Sequence, residues 1–131
     1  MSKPIANILI ATLDEKQVQA RAVFDSGSFF TILRENMVPE GAVIVKRKSP
    51  KEFNTAAAGG RLTVTGEIPI VMTIGDKVIE DLVLLSPNLS QEMLIGAGTM
   101  QKWDITIENK KGETKVVVGR DLSDPDISEI D

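Results

Sequence analysis

Apolar residues in this chain fall in short runs with the period of a strand, and turn residues interrupt them before a long helix can form. Arg61–Gly66 sets Leu62 and Val64 against Thr63 and Thr65. On an extended chain that alternation puts the apolar pair on one face and the hydroxyls on the other. Ile5–Thr12 and Val18–Phe24 are apolar runs separated by Leu13-Asp14-Glu15-Lys16-Gln17, whose polar centre predicts a hairpin turn. Phe29–Leu33, Ala42–Val45, Ile68–Ile74, Val78–Leu85 and Met93–Ile95 are further strand candidates, with a turn at Gly75-Asp76 and a break at Pro87-Asn88. Ile105–Glu108 and Thr114–Val118 flank Asn109–Glu113, a second hairpin with glycine in its loop. Arg34–Pro39 is polar enough for a loop or a single helical turn, and Ala97–Lys102 is the best candidate for a short helix. Many short strands with little helix describe an all-β barrel or sandwich.

What such a domain can do is narrowed by what it lacks. The 131 residues include no histidine, cysteine or tyrosine. That excludes Ser-His-Asp hydrolysis, imidazole bases, the usual zinc sites, thiol nucleophiles and disulfides. Chemistry must run on carboxylates, hydroxyls, amines or backbone. With 42% hydrophobic residues and a mean hydropathy near zero, the chain reads as one soluble globular domain. A net charge of −4 gives no electrostatic footprint for nucleic acid or an anionic membrane. The one basic cluster, Lys46-Arg47-Lys48 with Lys51, reads as a solvated loop. Nothing resembles a signal peptide, and no apolar run approaches the ~20 residues of a membrane-spanning helix. A cytoplasmic chain, or the soluble part of a larger protein, is the expectation. The organisation expected is a folded domain over 1–120 followed by an acidic, flexible tail over 121–131. That tail carries five acids (Asp121, Asp124, Asp126, Glu129, Asp131) around Pro125.

The informative segment is Val23-Phe24-Asp25-Ser26-Gly27-Ser28. Two bulky apolar residues carry the chain into a core, and a carboxylate then appears at the strand's end. Burying it costs several kcal/mol unless it is hydrogen-bonded or paired, roughly as for any interior charge. Ser26 and Ser28 offer hydroxyls, and Gly27 lets the backbone approach closely. An Asx or ST turn between strands is the bland alternative. However, Phe29–Leu33 follows at once, so the turn lies between apolar segments. Far downstream, Leu94-Ile95-Gly96 again sets two apolar residues before a glycine, and Ala56-Ala57-Ala58-Gly59-Gly60 puts small residues at the tip of a hairpin.

On these residues the chain resembles the retropepsin-like aspartic proteases, the family of retroviral proteases and their cellular and bacterial relatives. The resemblance spans roughly Ile8 to Ile107. It is strongest at Asp25-Ser26-Gly27-Ser28 with Thr31-Ile32-Leu33, similar to the family's Asp-Thr/Ser-Gly-Ala/Ser motif and the strand behind it. The resemblance implies that Asp25 is the catalytic aspartate, Ser26 the hydroxyl bracing the loop across a dimer, and Gly27 a backbone contact for substrate. Leu94-Ile95-Gly96 matches the apolar-apolar-glycine packed behind that loop, and Ala97–Lys102 falls where the family has its helix. Ala57, Ala58, Gly59 and Gly60 sit where the family carries its flap, a positional match only. The departure is Ala97-Gly98 after Gly96. Retroviral enzymes place arginine there, so their arginine-based interface contact is not carried over.

The implied fold is a closed acid-protease barrel with a flap hairpin and one short helix. The implied activity is peptide hydrolysis by an aspartic dyad, in which one carboxylate activates water and the other, protonated, polarises the carbonyl. The chain contains a single Asp-Ser/Thr-Gly, so the second carboxylate must be Asp25 of another copy in a homodimer. Neither cofactor nor metal is implied. The substrate would be an extended peptide or protein segment, with Val23, Ile32, Val83 and Leu84 apolar enough to line pockets. Gly59-Gly60 fits flap mobility or an ordinary hairpin turn equally well. The rival reading keeps the dimeric barrel but makes it a catalytically silent peptide-binding or assembly module. A dinucleotide loop at Gly96-Ala97-Gly98 fails because its third glycine falls on Gln101. A glycosidase lacks its aromatic platform, Trp103 being the only tryptophan.

Overall fold

In the computed structural model, which describes residues 4–54 and 60–124, the alternating runs are strands with one face under apolar cover. They are β1 (Ile5–Ala11), β2 (Gln17–Asp25), β3 (Ile32–Arg34), β4 (Val45–Asn54), β5 (Arg61–Ile74), β6 (Lys77–Ser86), β7 (Met93–Gly96), β8 (Ile105–Lys110) and β9 (Glu113–Val118). The helix α1 spans Ala97–Lys102, and a single 3-10 turn occupies Glu35–Met37. β5 shows the logic most fully, since every second residue from Leu62 to Ile74 is buried. Only a strand keeps such a set on one side for 14 residues.

The sheet runs β1-β2-β7-β3-β6-β5-β4, and β1 also pairs with β5 through Leu9↔Thr73, Ile10↔Met72 and Ala11↔Val71. That pairing closes a six-stranded barrel and removes the edges of β1 and β5 at once. Inside lie Ile8, Ile10, Leu33, Ile70, Met72 and Ile95, among others. A smaller apolar cluster of Ile32, Leu62, Val64 and Leu89 sits apart, with Phe53, Leu84 and Leu94 packed against it. β4 hangs outside the ring on β5, and β8–β9 form a separate two-stranded sheet. Among the described residues no helix is long and apolar enough to cross a membrane.

Several expectations change. Phe29–Leu33 is a strand only from Ile32, because the carbonyls of Ser28 and Phe29 accept from Ala97 and Gly98 instead of entering a ladder. Ala42–Ile44 is not strand, whereas Lys46-Arg47-Lys48 and Lys51, expected in a loop, lie on β4. Backbone pairing of Val45 with Glu67 and of Lys51 with Val64 carries that strand around a bulge, while nearly all its side chains stay exposed. Hydropathy therefore gave no sign of it. Arg61–Gly66 and Ile68–Ile74 are one strand, and Gly66 is the reason β4 can cross it closely: a Cβ there would lie 2.6 Å from the Val45 carbonyl oxygen.

The hairpin Asn109–Glu113 turns at Lys111 and Gly112, both with positive φ (51° and 79°), the pairing a two-residue turn requires. Of the acidic segment 121–131, residues 125–131 lie outside the described residues. Ahead of them, the Leu122 N–H donates to the Val78 carbonyl at 2.8 Å and the Asp121 carboxylate accepts from the Ser123 hydroxyl at 2.6 Å.

Candidate active site

Asp25 is the last residue of β2, half-buried, where its strand runs parallel to β7 and pairs in register with Gly96. The chain must leave the sheet there, and the local sequence supplies the turn. The Gly27 N–H donates to Asp25 Oδ1 at 2.9 Å, and the Ser28 N–H donates to the Asp25 carbonyl at 3.1 Å. Ser28 Oγ donates to the Phe30 carbonyl at 3.1 Å. A side chain at position 27 would sit 3.1 Å from Asp25 Oδ1, so glycine keeps that oxygen's approach open. Ser26 and Gly27 are exposed.

The far wall of the loop is β7 and the start of α1. The Ala97 N–H donates to the Ser28 carbonyl at 2.6 Å and the Gly98 N–H to the Phe29 carbonyl at 2.9 Å. A Cβ on Gly96 would lie 2.3 Å from the Phe30 oxygen and 2.6 Å from the Phe29 oxygen, so the segment closes on the loop only with glycine there. Leu94 is half-buried, Ile95 buried, and Thr31 buried with Oγ1 accepting from the Gly96 N–H at 3.1 Å. The structure thus brings Asp25, Ser28, Thr31 and Gly96 together. Of the flap candidates, Ala57, Ala58 and Gly59 lie outside the described residues. Gly60, half-buried, leads into β5, which pairs antiparallel with β4 from Asn54↔Arg61 inward.

Sequence reasoning missed three participants. Thr99 of α1 and Asp81 of β6 complete the contacts of Thr31: the two threonine hydroxyls share a hydrogen bond of 2.5 Å, and Thr99 donates to the Asp81 carboxylate. The available signal was the pair of threonines in apolar surroundings, since a buried hydroxyl must find a partner. The third is Phe30, exposed like Phe29 (45% and 62%) although both follow a core strand. The two rings meet edge to face with centroids 5.4 Å apart, and Phe30 reaches Phe53 of β4 at 5.6 Å. With Asp81, Leu82, Gly98 and Lys102 they line a cleft of about 200 Å³.

Of the expected pocket residues, Val83 is wholly buried in the main core, while Ile32 and Leu84 belong to the smaller cluster. A larger groove, about 410 Å³, lies along Val45–Ser49 and Glu67. Its lining includes neither Asp25 nor any residue of its loop, so the loop geometry defines the candidate site. Among the described residues no group of acids could hold a metal ion. Trp103 is buried with Nε1 donating to the Glu80 carbonyl at 3.2 Å, which removes it as a sugar platform.

No family model and no curated protein matches the chain. Solved structures do. The retroviral protease-like domain of Ddi1 from Leishmania major superposes with a TM-score of 0.62 at 15% identity, covering 93% of this chain and 99% of that one. The EIAV protease, solved with the inhibitor HBY-793, gives 0.56 at 12% identity over 82% of this chain and 94% of its own. This chain has the retropepsin-like fold. At 12 and 15% identity the likeness carries the fold alone. Within the retropepsin-like barrel, Asp25 ends a strand that lies beside β7, with the 25–31 loop hydrogen-bonded to the segment following that strand.

Proposed function

We propose that the protein is an aspartic endopeptidase that works as a homodimer, with one Asp25 from each protomer. The supporting observation is the placement of Asp25. Its strand, its own loop and Gly96 together hold a half-buried carboxylate at the strand's end, with the Gly27 N–H on one oxygen. Two such carboxylates brought together across a two-fold axis cannot both ionise at neutral pH, so the pair shares a proton. The ionised member takes a proton from water, the water oxygen attacks the peptide carbonyl, and the protonated member donates to the developing oxyanion. Collapse of the tetrahedral intermediate expels the amine with a proton from the dyad. No cofactor enters this chemistry.

The substrate in this reading is an extended peptide laid beside the loop, with the β4–β5 hairpin as the flap above it and Gly60 in its connecting segment. Phe29, Phe30 and Leu82 offer apolar surface for its side chains, which an assembly module would also use. The Asp25→Asn variant separates the two readings. It is expected to lose all cleavage of a peptide library while keeping the dimer's mass in solution. Wild-type protein that cleaves nothing between about pH 3 and about pH 7 would sink the protease and leave the silent, peptide-binding barrel.

A further inference from the structure

A chain of hydrogen bonds connects the candidate catalytic loop to a carboxylate at the molecular surface, and the donors in it can be assigned. The Gly96 N–H has one proton to give and gives it to Thr31 Oγ1 at 3.1 Å. Thr99 Oγ1 gives its only proton to Asp81 Oδ2. The hydrogen bond between Thr31 and Thr99 must then use the Thr31 proton, with Thr99 as acceptor. The order is Gly96 amide, Thr31 hydroxyl, Thr99 hydroxyl, Asp81 carboxylate, each donating to the next. The other Asp81 oxygen accepts from the Leu82 N–H at 2.8 Å. Thr31 and Thr99 are buried at 5% and 2% exposure where they border the cleft that Asp81 also lines, so a lost member costs a buried hydroxyl its partner.

We propose that Asp81 is a positioning residue for the Asp25 loop, acting through Thr99 and Thr31 on Gly96. Gly96 pairs in register with Asp25, and the two amides after it hold the carbonyls of Ser28 and Phe29. Asp81 sits on β6, four strands later in the chain than β2, and the hydroxyl chain ties that strand to the loop's far wall. An acceptor at position 81 sets the direction of every donor before it. Without one, the Thr99 proton has no partner, both threonines are released to turn, and the Gly96 amide loses a fixed acceptor. The role needs an acceptor and not a charge. The inference rests on the proposed protease for its catalytic consequence, but the hydrogen-bond chain itself is measurable without turnover.

The test compares Asp81→Leu and Thr99→Val, which break the chain, with Asp81→Asn and Thr99→Ser, which keep an acceptor and a hydroxyl. Amide exchange at Gly96, Ala97 and Gly98 is expected to speed up about tenfold or more in the first pair while the β8–β9 amides stay unchanged. Cleavage by the first pair should show kcat lowered roughly 10- to 100-fold with KM within about threefold, as for a displaced catalytic group. The second pair should restore both. Unchanged exchange at Gly96 in Asp81→Leu overturns the proposal, and so does an Asp81→Asn variant as damaged as Asp81→Leu. Should the disruptive variants not fold, slowly exchanging hydroxyl protons of Thr31 and Thr99 in the wild type support the chain, and their absence refutes it. If the wild type does not cleave at all, the exchange result still decides the role of Asp81, and only the protease reading falls.

Discussion

Gly96 is the residue on which the candidate site turns, and its importance comes from a distance, not from flexibility. A methyl group there would meet two carbonyl oxygens of the loop, at 2.3 and 2.6 Å, and neither is a flexible side-chain end. Gly96→Ala should therefore lower the unfolding free energy measured in urea by about 3 kcal/mol, or take the chain below the threshold of folding. Gly75→Ala is the informative comparison. It has a positive φ of 63° but open space around it, so the cost should stay near 1 kcal/mol, about that of an ordinary left-handed residue. The glycines were visible in the sequence as punctuation. What distinguishes them is which atoms lie opposite, and for Gly96 those belong to Phe29 and Phe30.

Among the elements, hydropathy reveals those that bury one face and misses those held by backbone alone. β5 and β8–β9 are readable because alternation and turn residues are local properties. β4 is not, because Val45–Asn54 makes its ladder with β5 while every side chain on it but that of Phe53 is exposed. The segment after β9 is a second case. Asp121 caps the start of β6: its carboxylate accepts from the Ser123 hydroxyl, which holds its pKa below the ordinary value of 3.8 against an opposing desolvation, with further help from the Val78 and Ser123 N–H groups and the Lys77 charge. A carboxyl with a lowered folded-state pKa stabilises the fold above its unfolded value and loses that contribution as pH falls through the folded one. Asp121→Asn should then be less stable than wild type near neutral pH, with the difference shrinking below 3.8. Urea titrations across that range measure it, and a constant gap at every pH would contradict it.

At the level of the whole molecule, the barrel closes where β1 meets β5, and one carboxylate stands where the proposed chemistry needs two. If the active unit is a dimer of identical chains, mixing wild type with Asp25→Asn and letting protomers exchange should produce inactive mixed dimers. At equal amounts the activity per wild-type protomer should fall to about half. Activity that instead tracks the wild-type concentration linearly would mean that each protomer works alone.

The sequence by itself determined the strand pattern, the exclusion of imidazole and thiol chemistry, and the single Asp-Ser-Gly that directs attention to Asp25. These follow from composition and from neighbours along the chain. Only the tertiary structure decided that β1 closes on β5, that Lys46–Lys51 lies on a strand, that Val83 is core, and that Thr31 meets Thr99 and Asp81. The reason is the same in each case. A buried polar group or an unpaired backbone must be satisfied, but its partner can lie anywhere in the chain, as Thr31 and Thr99 do at a separation of 68 residues.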